Sequence, residues 1–191
     1  YQTSGGVKTP IQKFVTLKKS TFDNYSYGKN LSDNSVAAIV KRAINSGALP
    51  LDPMGAYFVL TSADVAETSG FCSQYCGWHS YMQVSGKQIP YAFIGNAARC
   101  LSACAEQRTS PNGNAGADAM ASVIAHELAE IMTDPYFNGW YDGQGEENAD
   151  KCAWTFGSTY KAQNGSNANI KLGMRNYLIQ QNWINGTPSG S

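Results

Sequence analysis

Residues 118–135 read DAMASVIAHELAEIMTDP and contain the pattern that decides the fold. Apolar residues recur in this stretch at helical spacing, which predicts an α-helix over about residues 118–132. Pro135 limits its length, because a residue that precedes proline is pushed out of the α region. The apolar face of this helix is formed by Met120, Val123, Ile124, Leu128 and Ile131.

Three polar residues of the helix, His126, Glu127 and Glu130, lie off that apolar face and form the pattern H-E-x-x-E. The metallopeptidase signature is H-E-x-x-H, so a glutamate occupies the second ligand position here. Residues four apart on a helix are separated by about 6 Å of rise and about 40° of rotation, so His126 and Glu130 can reach one ion. Glu127 stands where a carboxylate can take a proton from a metal-bound water. The motif predicts metal-assisted hydrolysis with Glu127 as the general base.

A third metal ligand is expected from the acidic residues that follow the helix. Asp134 lies eight residues beyond His126, about 12 Å along the helix axis, so a role in the turn that ends the helix suits it better. Glu147 and Asp150 lie in a segment that can return to the side of the helix. We predict that one of these two is a ligand and the other supports it, with Asp142 as a further candidate.

The expected ion is zinc, because catalytic zinc sites keep three protein ligands and one water. A set of one histidine and two carboxylates carries extra negative charge, however, and its oxygens also suit Mn²⁺, Mg²⁺ or Ca²⁺. The simpler interpretation of the motif is an exposed helix face that carries a histidine and two glutamates. Against it, His126 is one of only two histidines, and an acidic cluster follows downstream.

The other histidine, His79, lies in the segment Cys76-Gly77-Trp78-His79. A structural role beside a disulfide and Trp78 is its first interpretation, and contact with substrate or metal is its second. Aromatic residues also gather around the motif, either as a wall of the core or as the lining of a cleft for sugar rings or peptide. They are Tyr136, Phe137, Trp140, Tyr141, Trp154 and Phe156.

The composition suits one secreted domain spanning residues 1–191, which is long enough to bury a core. Fourteen basic and fourteen acidic residues cancel, which argues against nucleic acid and anionic membrane as partners. No apolar run approaches the length of a transmembrane helix and no signal peptide is present, so we expect a mature extracellular form. Four glycosylation sequons agree with an exported protein, at Asn24, Asn30, Asn164 and Asn185.

The five cysteines also favour an oxidising compartment. Cys72 and Cys76 are four residues apart, as are Cys100 and Cys104. This spacing on a helix or turn separates Cα atoms by about 6 Å, so two short-loop disulfides, Cys72–Cys76 and Cys100–Cys104, are predicted. A four-thiolate zinc site is the alternative. Cys152 stands alone.

Two elements are predicted ahead of the motif from periodicity and capping residues. Residues 11–17 alternate apolar and polar side chains, which indicates a strand. Residues 32–35 offer several N-cap side chains before an apolar helical pattern that stops at Gly47. That pattern consists of Val36, Ile39, Val40 and Ile44.

Further elements are predicted between the two helices and after the motif helix. Residues 56–61 form a continuous β-prone run, which is typical of a central strand buried on both faces. Residues 81–84 and 90–94 predict a hairpin, and residues 177–183 form either a strand or a short helix. The predicted fold is α+β or α/β, with a mixed sheet that carries at least two helices, disulfide bonds, and the motif helix packed beneath the sheet as in zincins.

Four sequence blocks within roughly residues 20–185 carry a family resemblance. They are YFVLTSADV at 57–65, GFC at 70–72 with CGWH at 76–79, DAM at 118–120, and TDP at 133–135 with NGWY at 138–141. These blocks resemble the EXORDIUM-like, phosphate-induced protein family. Plant members of that family are secreted, cell-wall-associated proteins linked to growth, with no established catalytic activity.

The resemblance also carries expectations about the site. Microbial relatives share the form H-E-x-x-E-x-x-T-D-P, followed by G-W-Y-D and an acidic residue before a cysteine, as in Asp150-Lys151-Cys152. Plant members keep the cysteine block with its histidine but lack counterparts of His126, Glu127 and Glu130. The resemblance therefore implies that His79 is structural and that the microbial branch has a metal site.

The resemblance implies two further points about this chain. The family has a strand and a helix ahead of the region where this chain begins, which suggests a processed form whose N-terminal part is removed or held as a second chain. Family members also end with a cysteine that is absent here, which leaves Cys152 without its expected partner.

The leading hypothesis is a secreted zinc-dependent metallopeptidase that acts on peptide or protein substrates. In it, His126, Glu130 and either Glu147 or Asp150 bind the ion. A non-catalytic cell-wall or carbohydrate-binding protein with a structural metal is the second hypothesis. A glycoside hydrolase is the third, with paired carboxylates from Glu127, Glu130, Asp142 and Asp150.

Overall fold

The computed structural model describes residues 2–4, 7–9, 11 and 14–183. These residues form a mixed α+β fold, which confirms the predicted fold class. Its α-helices are α1 (Asp33–Asn45), α2 (Leu101–Cys104) and α3 (Ala115–Thr133), with 3₁₀ turns at Ala97–Arg99 and Asp150–Cys152. None of the helices in the described part of the chain is long and apolar enough to cross a membrane.

The strands are short and pair mostly in twos. In chain order they are β1 (Gln2–Ser4), β2 (Val7–Thr9), β3 (Asn30–Leu31), β4 (Tyr57–Leu60), β5 (Ala66–Glu67), β6 (Gly77–Val84), β7 (Lys87–Ile94), β8 (Tyr160–Lys161), β9 (Asn167–Ala168), β10 (Ile170–Leu172) and β11 (Arg175–Tyr177). The sheet that matters for the site has the order β4-β7-β6, with β4 parallel and β6 antiparallel to β7.

The hairpin prediction is confirmed, because β6 and β7 are joined by a tight turn at Ser85 and Gly86. Both turn residues have positive φ, 49° and 74°, as the tight turns that match the strand twist require. The prediction that residues 56–61 form the central strand is wrong. β4 lies at the edge of the sheet, where Leu60 stays 52% exposed, and β7 occupies the centre.

Alternation along β7 divides the core into two parts, because successive strand residues point to opposite faces of a sheet. On one face, Tyr91 and Phe93 belong to a cluster that contains the apolar residues of α1. On the other face, Ala92 and Ile94 pack with Met120 and Ile131. The sheet therefore lies between α1 and α3.

The prediction for α1 is confirmed. Ser32 caps the helix, since its Oγ accepts a hydrogen bond from the Ser35 backbone N–H at 3.3 Å. The buried face consists of Val36, Val40 and Ile44. Gly47 follows the helix with φ of 74°, a left-handed conformation that commonly follows a helix end.

The prediction for α3 is confirmed in position and in the burial of Met120 and Ile131, but the buried face also includes the motif carboxylates. The helix begins at Ala115 because Asn114 caps it, accepting from the Ala117 backbone N–H at 3.1 Å. Glu127 and Glu130 are both only 3% exposed, whereas Leu128 is half-buried. The motif carboxylates therefore point into the protein and toward the sheet.

The predicted disulfide pairing is wrong. The bonds are Cys72–Cys100 and Cys76–Cys104, with Cα–Cα distances of 5.7 and 5.4 Å. The loop that contains Cys72 and Cys76 lies beside α2, so cysteines four apart in one segment bond to the other segment. These two bonds tie the start of β6 to α2. Cys152 is a free, buried cysteine.

Two other predicted elements differ from the structure. Residues 11 and 14–17 form no strand, and Phe14 and Leu17 are 86% and 89% exposed. The alternation of apolar and polar residues in this segment therefore does not correspond to a buried strand face. Within residues 177–183, β11 ends at Tyr177 and the rest is irregular. Gln12, Lys13 and the sequon at Asn185 lie outside the described residues.

Candidate metal centre

The hairpin brings His79 against the motif helix. His79 pairs with Ala92 in the β6–β7 register, which places it on the sheet face that packs on α3. Its Nδ1 lies 3.5 Å from Glu127 Oε2 and 3.4 Å from Glu130 Oε2. The surroundings of His79 are therefore the motif carboxylates, which corrects the first interpretation that placed it beside a disulfide and Trp78.

His126 projects from α3 toward a different group of partners. Its Nε2 lies 3.0 Å from Glu130 Oε1 and 3.3 Å from Asp150 Oδ1. Its Nδ1 lies 3.3 Å from Oε1 and 3.1 Å from Nε2 of the Gln180 amide. Gln180 is itself anchored, because its Nε2 donates to the Ala149 carbonyl at 2.8 Å. The amide holds the imidazole so that Nε2 faces the two carboxylates.

The acidic segment returns to the helix as predicted. Glu147 forms an isolated bridge with Tyr141, and Asp150 begins the following 3₁₀ turn. The Glu147 backbone N–H donates to Asp150 Oδ2 at 3.2 Å, which fixes the two residues relative to each other. Glu147 Oε1 lies 3.9 Å from His79 Nε2.

Two overlapping groups of side chains could hold a metal ion. One is His126, Glu130 and Asp150, and the other is His79, Glu130 and Glu147. Within each group the possible ligand atoms lie within 4.8 Å of one another. The structure thus brings all four sequence-predicted ligands together and adds His79.

Two acidic residues considered from the sequence take no part in these groups. Asp134 is 1% exposed and its Oδ1 accepts from the backbone N–H of Asn138 and of Gly139, both at 2.6 Å, so it is the predicted turn residue. Asp142 pairs with Lys151 at 2.5 Å and accepts from backbone amides of its own loop. Asp142 is therefore a loop residue in this structure.

The imidazoles are strongly basic in the protein without metal. Burial lowers the pKa of each ring, but the carboxylates outweigh it. Hydrogen bonds to Glu127 and Glu130 raise the pKa of His79 to about 10, and those to Asp150 and Glu130 raise the pKa of His126 to about 11.

The pKa values of the carboxyl groups shift in two directions. Burial raises the pKa of Glu127, and it raises the pKa of Glu147 to about 8. The pKa of Glu130 is lowered although burial opposes this, because both histidines bond to it. A hydrogen bond from His126 lowers the pKa of Asp150. Glu130 and Asp150 are thus the carboxylates that stay ionised and ready to bind a cation.

The residues fit a divalent cation on two grounds. Ligands of a tetrahedral zinc ion at its usual bond lengths are about 3.3 Å apart, and His126 Nε2 lies 3.0 and 3.3 Å from its two carboxylate partners. In addition, Glu147 Oε1 is buried and makes no hydrogen bond. A buried acceptor without a donor is costly unless something binds it.

A cleft of about 330 Å³ opens over one side of this centre. Its walls include His126, Glu127 and Asp150, so the motif is accessible from the cleft. Trp154 and Phe156 also line it, and Trp154 is 54% exposed. On the sheet side Phe137 covers His79, with ring centroids 5.0 Å apart.

A family comparison matches the chain over residues 1–177, to the description "Phosphate-induced protein 1 conserved region". The chain belongs to the phosphate-induced protein 1 family. This confirms the family resemblance carried by the sequence blocks. No solved structure matches the chain.

Several plant proteins are similar to this member of the phosphate-induced protein 1 family. Protein EXORDIUM-like 3 of Arabidopsis thaliana is 35% identical over 189 residues, which cover 83% of this chain and 56% of that protein. Protein EXORDIUM-like 5 of the same plant is 31% identical over 191 residues, with 83% and 52% covered. Protein PHOSPHATE-INDUCED 1 of Nicotiana tabacum is 30% identical over 147 residues, with 68% and 44% covered. The chain spans about half the length of these relatives.

In this member of the phosphate-induced protein 1 family, the sequence patterns gave too little weight to His79 and did not point to Gln180. The hairpin register could have placed His79 correctly, because pairing across a two-residue turn puts it opposite Ala92 on the α3 face. Gln180 lies 54 residues from His126 in a segment without regular structure, and no local pattern connects them.

Proposed function

We propose that this chain is a secreted, metal-dependent hydrolase of peptide or protein substrates. It would represent a branch of the phosphate-induced protein 1 family that carries the H-E-x-x-E motif. The observation that supports it most is the convergence of His126, Glu130 and Asp150 beside a cleft that Glu127 also lines. Zinc is the expected ion, with Mn²⁺ and Ca²⁺ as alternatives that carboxylate oxygens also suit.

The ligand roles follow from contacts within the centre. When bound, a divalent ion supplies Lewis acidity and lowers the pKa of a water molecule toward neutrality. His126 presents Nε2 because Gln180 holds the opposite side of the ring. Glu130 and Asp150 contribute ionised oxygens, since their pKa values are lowered by the imidazole beside them.

Glu127 would act as the general base. It follows His126 on the helix, and it lines the cleft although the residue is only 3% exposed. Burial raises its pKa, which makes its carboxylate a stronger base than an exposed glutamate. Gly77 leaves the space that Glu127 occupies, because a Cβ at that position would lie 3.1 Å from Glu127 Oε1.

The test compares Glu127→Gln with Glu146→Gln on a fluorescent casein substrate. Glu146 is an exposed glutamate in the same acidic segment and serves as the matched control. We expect Glu127→Gln to lower kcat by about 10²–10⁴-fold, the usual contribution of a general base, while metal content stays unchanged. Full activity in Glu127→Gln would refute the mechanism.

Carbohydrate binding is the second candidate, favoured by the exposed indole of Trp154 at the cleft. A glycan array with the wild type and Trp154→Ala, each with and without chelator, tests it. The carbohydrate-binding protein would be favoured if the wild type binds a glycan both with and without chelator while Trp154→Ala does not bind it. The wild type should then also fail to hydrolyse casein. Sugar release that survives chelation would instead indicate a glycoside hydrolase.

A further inference from the structure

We propose that His79, Glu130 and Glu147 form a second divalent-cation site, so that Glu130 bridges two ions in one dinuclear centre. The ions of this class are first-row divalent cations that accept mixed nitrogen and oxygen ligands, such as Zn²⁺ and Mn²⁺. The inference rests on the proposed function and deepens it, because the first ion belongs to the His126 group.

The bridging role follows from the two oxygens of Glu130. Its Oε1 lies 3.0 Å from His126 Nε2, and its Oε2 lies 3.4 Å from His79 Nδ1. One carboxylate therefore stands between two imidazoles that come from different elements, α3 and β6. One imidazole lies beside each oxygen of Glu130, so each oxygen can bind its own ion.

An unsatisfied oxygen points to a ligand on the His79 side. Glu147 Oε1 is buried without a hydrogen bond and faces His79 Nε2 at 3.9 Å. Native proteins rarely leave such an acceptor without a partner. One ligand atom from each of His79, Glu130 and Glu147 lies within 4.8 Å of the others, so a cation shared by the three accounts for it.

The centre also holds enough carboxyl groups for two ions. Four carboxyl groups gather around the two imidazoles, those of Glu127, Glu130, Glu147 and Asp150. Among the described residues, no lysine or arginine forms an ion pair with any of them. With two divalent cations bound, all four carboxyl groups can be ionised against neutral imidazoles, whereas one cation matches only two of them.

The two sites differ in access. The cleft reaches His126, Glu127 and Asp150, so the ion of the first site meets substrate. The side chain of His79 is 3% exposed, so the second ion lies deeper and holds Glu130 and the neighbouring Glu127 in place. We therefore assign the outer ion to chemistry and the inner ion to positioning.

The experiment loads metal-free protein with Mn²⁺ and measures both stoichiometry and the electron paramagnetic resonance spectrum. Glu147→Gln removes a ligand of the inner site only, and Asp150→Asn removes one of the outer site only. Glu146→Gln is the control, and circular dichroism checks that each variant is folded. We expect two ions per wild-type chain with an exchange-coupled spectrum.

Each single variant should retain one ion with an uncoupled spectrum, and the control should keep two coupled ions. A single wild-type ion that Asp150→Asn loses and Glu147→Gln keeps would refute the second site and leave the proposed function standing. Two uncoupled ions would refute the bridge. Absence of any bound Mn²⁺ or Zn²⁺ would refute both the second site and the proposed function.

Discussion

The two long helices that flank the sheet bury opposite kinds of side chain. α1 turns Val36, Val40 and Ile44 toward the core and leaves its polar residues at the surface. α3 turns Glu127 and Glu130 inward, together with apolar residues such as Ile131. α1 follows the amphipathic rule that its sequence predicts, whereas α3 departs from it at the motif.

This difference indicates what each helix contributes. A buried ion pair is often no more stabilising than an apolar contact of similar volume, so stability alone does not explain the inward carboxylates of α3 and their histidine partners. Such departures from local rules are expected at functional sites. We therefore assign stability to the buried face of α1 and cation binding to the buried face of α3, and four predictions test that division.

The largest effect is expected for Glu130→Gln. This change removes the carboxylate that both histidines share, so metal affinity should fall by more than about 100-fold and casein hydrolysis should fall to background. Calorimetric titration with Zn²⁺ measures the affinity. The same titration of Glu146→Gln should match the wild type, and an unchanged affinity in Glu130→Gln would remove Glu130 from the ligand set.

Ile44→Ala should lower the stability of the protein but leave metal binding and hydrolysis intact. Ile44 is 7% exposed on α1, so loss of its side chain should lower the free energy of unfolding by about 3 kcal/mol. Metal affinity and casein hydrolysis should be unchanged at temperatures where the variant is folded. Urea denaturation of the variant and the wild type gives the energy. A loss of metal binding without unfolding would break the division between the helices.

The pH dependence should differ between metal-free and metal-loaded protein. In the folded, metal-free chain the pKa values of His79 and His126 are raised to about 10 and 11, and that of Glu147 to about 8. The histidine contribution to stability is therefore complete below about pH 6.5 and is lost as pH rises toward 10. Because the pKa of Glu147 is also raised, its contribution to the free energy of unfolding falls as pH rises from about 4.5 to about 8.

Metal binding reverses this trend, because a histidine ligand must be neutral and the cation competes with protons. The gain in unfolding midpoint on adding Mn²⁺ should thus grow between about pH 6 and 8. Urea unfolding with chelator and with Mn²⁺ measures both curves. A metal-free protein that becomes more stable over that pH range would contradict the assigned imidazole contacts.

The smallest effect is expected for Asp142→Asn. Asp142 pairs with Lys151 and belongs to neither ligand group, and its Oδ1 accepts backbone hydrogen bonds that an asparagine oxygen can also accept. Metal affinity and hydrolysis should remain within about twofold of the wild type, since exposed ion pairs contribute little. A marked loss of metal would return Asp142 to the list of ligands.

Local patterns in the sequence predicted the elements that local forces determine. Capping and periodicity located α1, and the turn at residues 85 and 86 located the hairpin. The helical spacing of His126 and Glu130 predicted that both reach one place, which the structure shows.

Long-range contacts explain what the sequence could not predict. Nothing in the sequence of residues 56–61 shows that β7, rather than β4, would lie between two other strands. The equal spacing of the two cysteine pairs fits either pairing pattern until α2 is placed beside the loop. His79 was underrated because its partners lie about 50 residues away, on α3.

The central claim is that the buried polar face of α3 binds a cation. Its most direct test is the thermal midpoint of metal-free protein before and after addition of Zn²⁺, in the wild type, Ile44→Ala and Glu130→Gln. We expect an equal upward shift in the wild type and in Ile44→Ala, and none in Glu130→Gln. No shift in the wild type, or the same shift in Glu130→Gln, would contradict it.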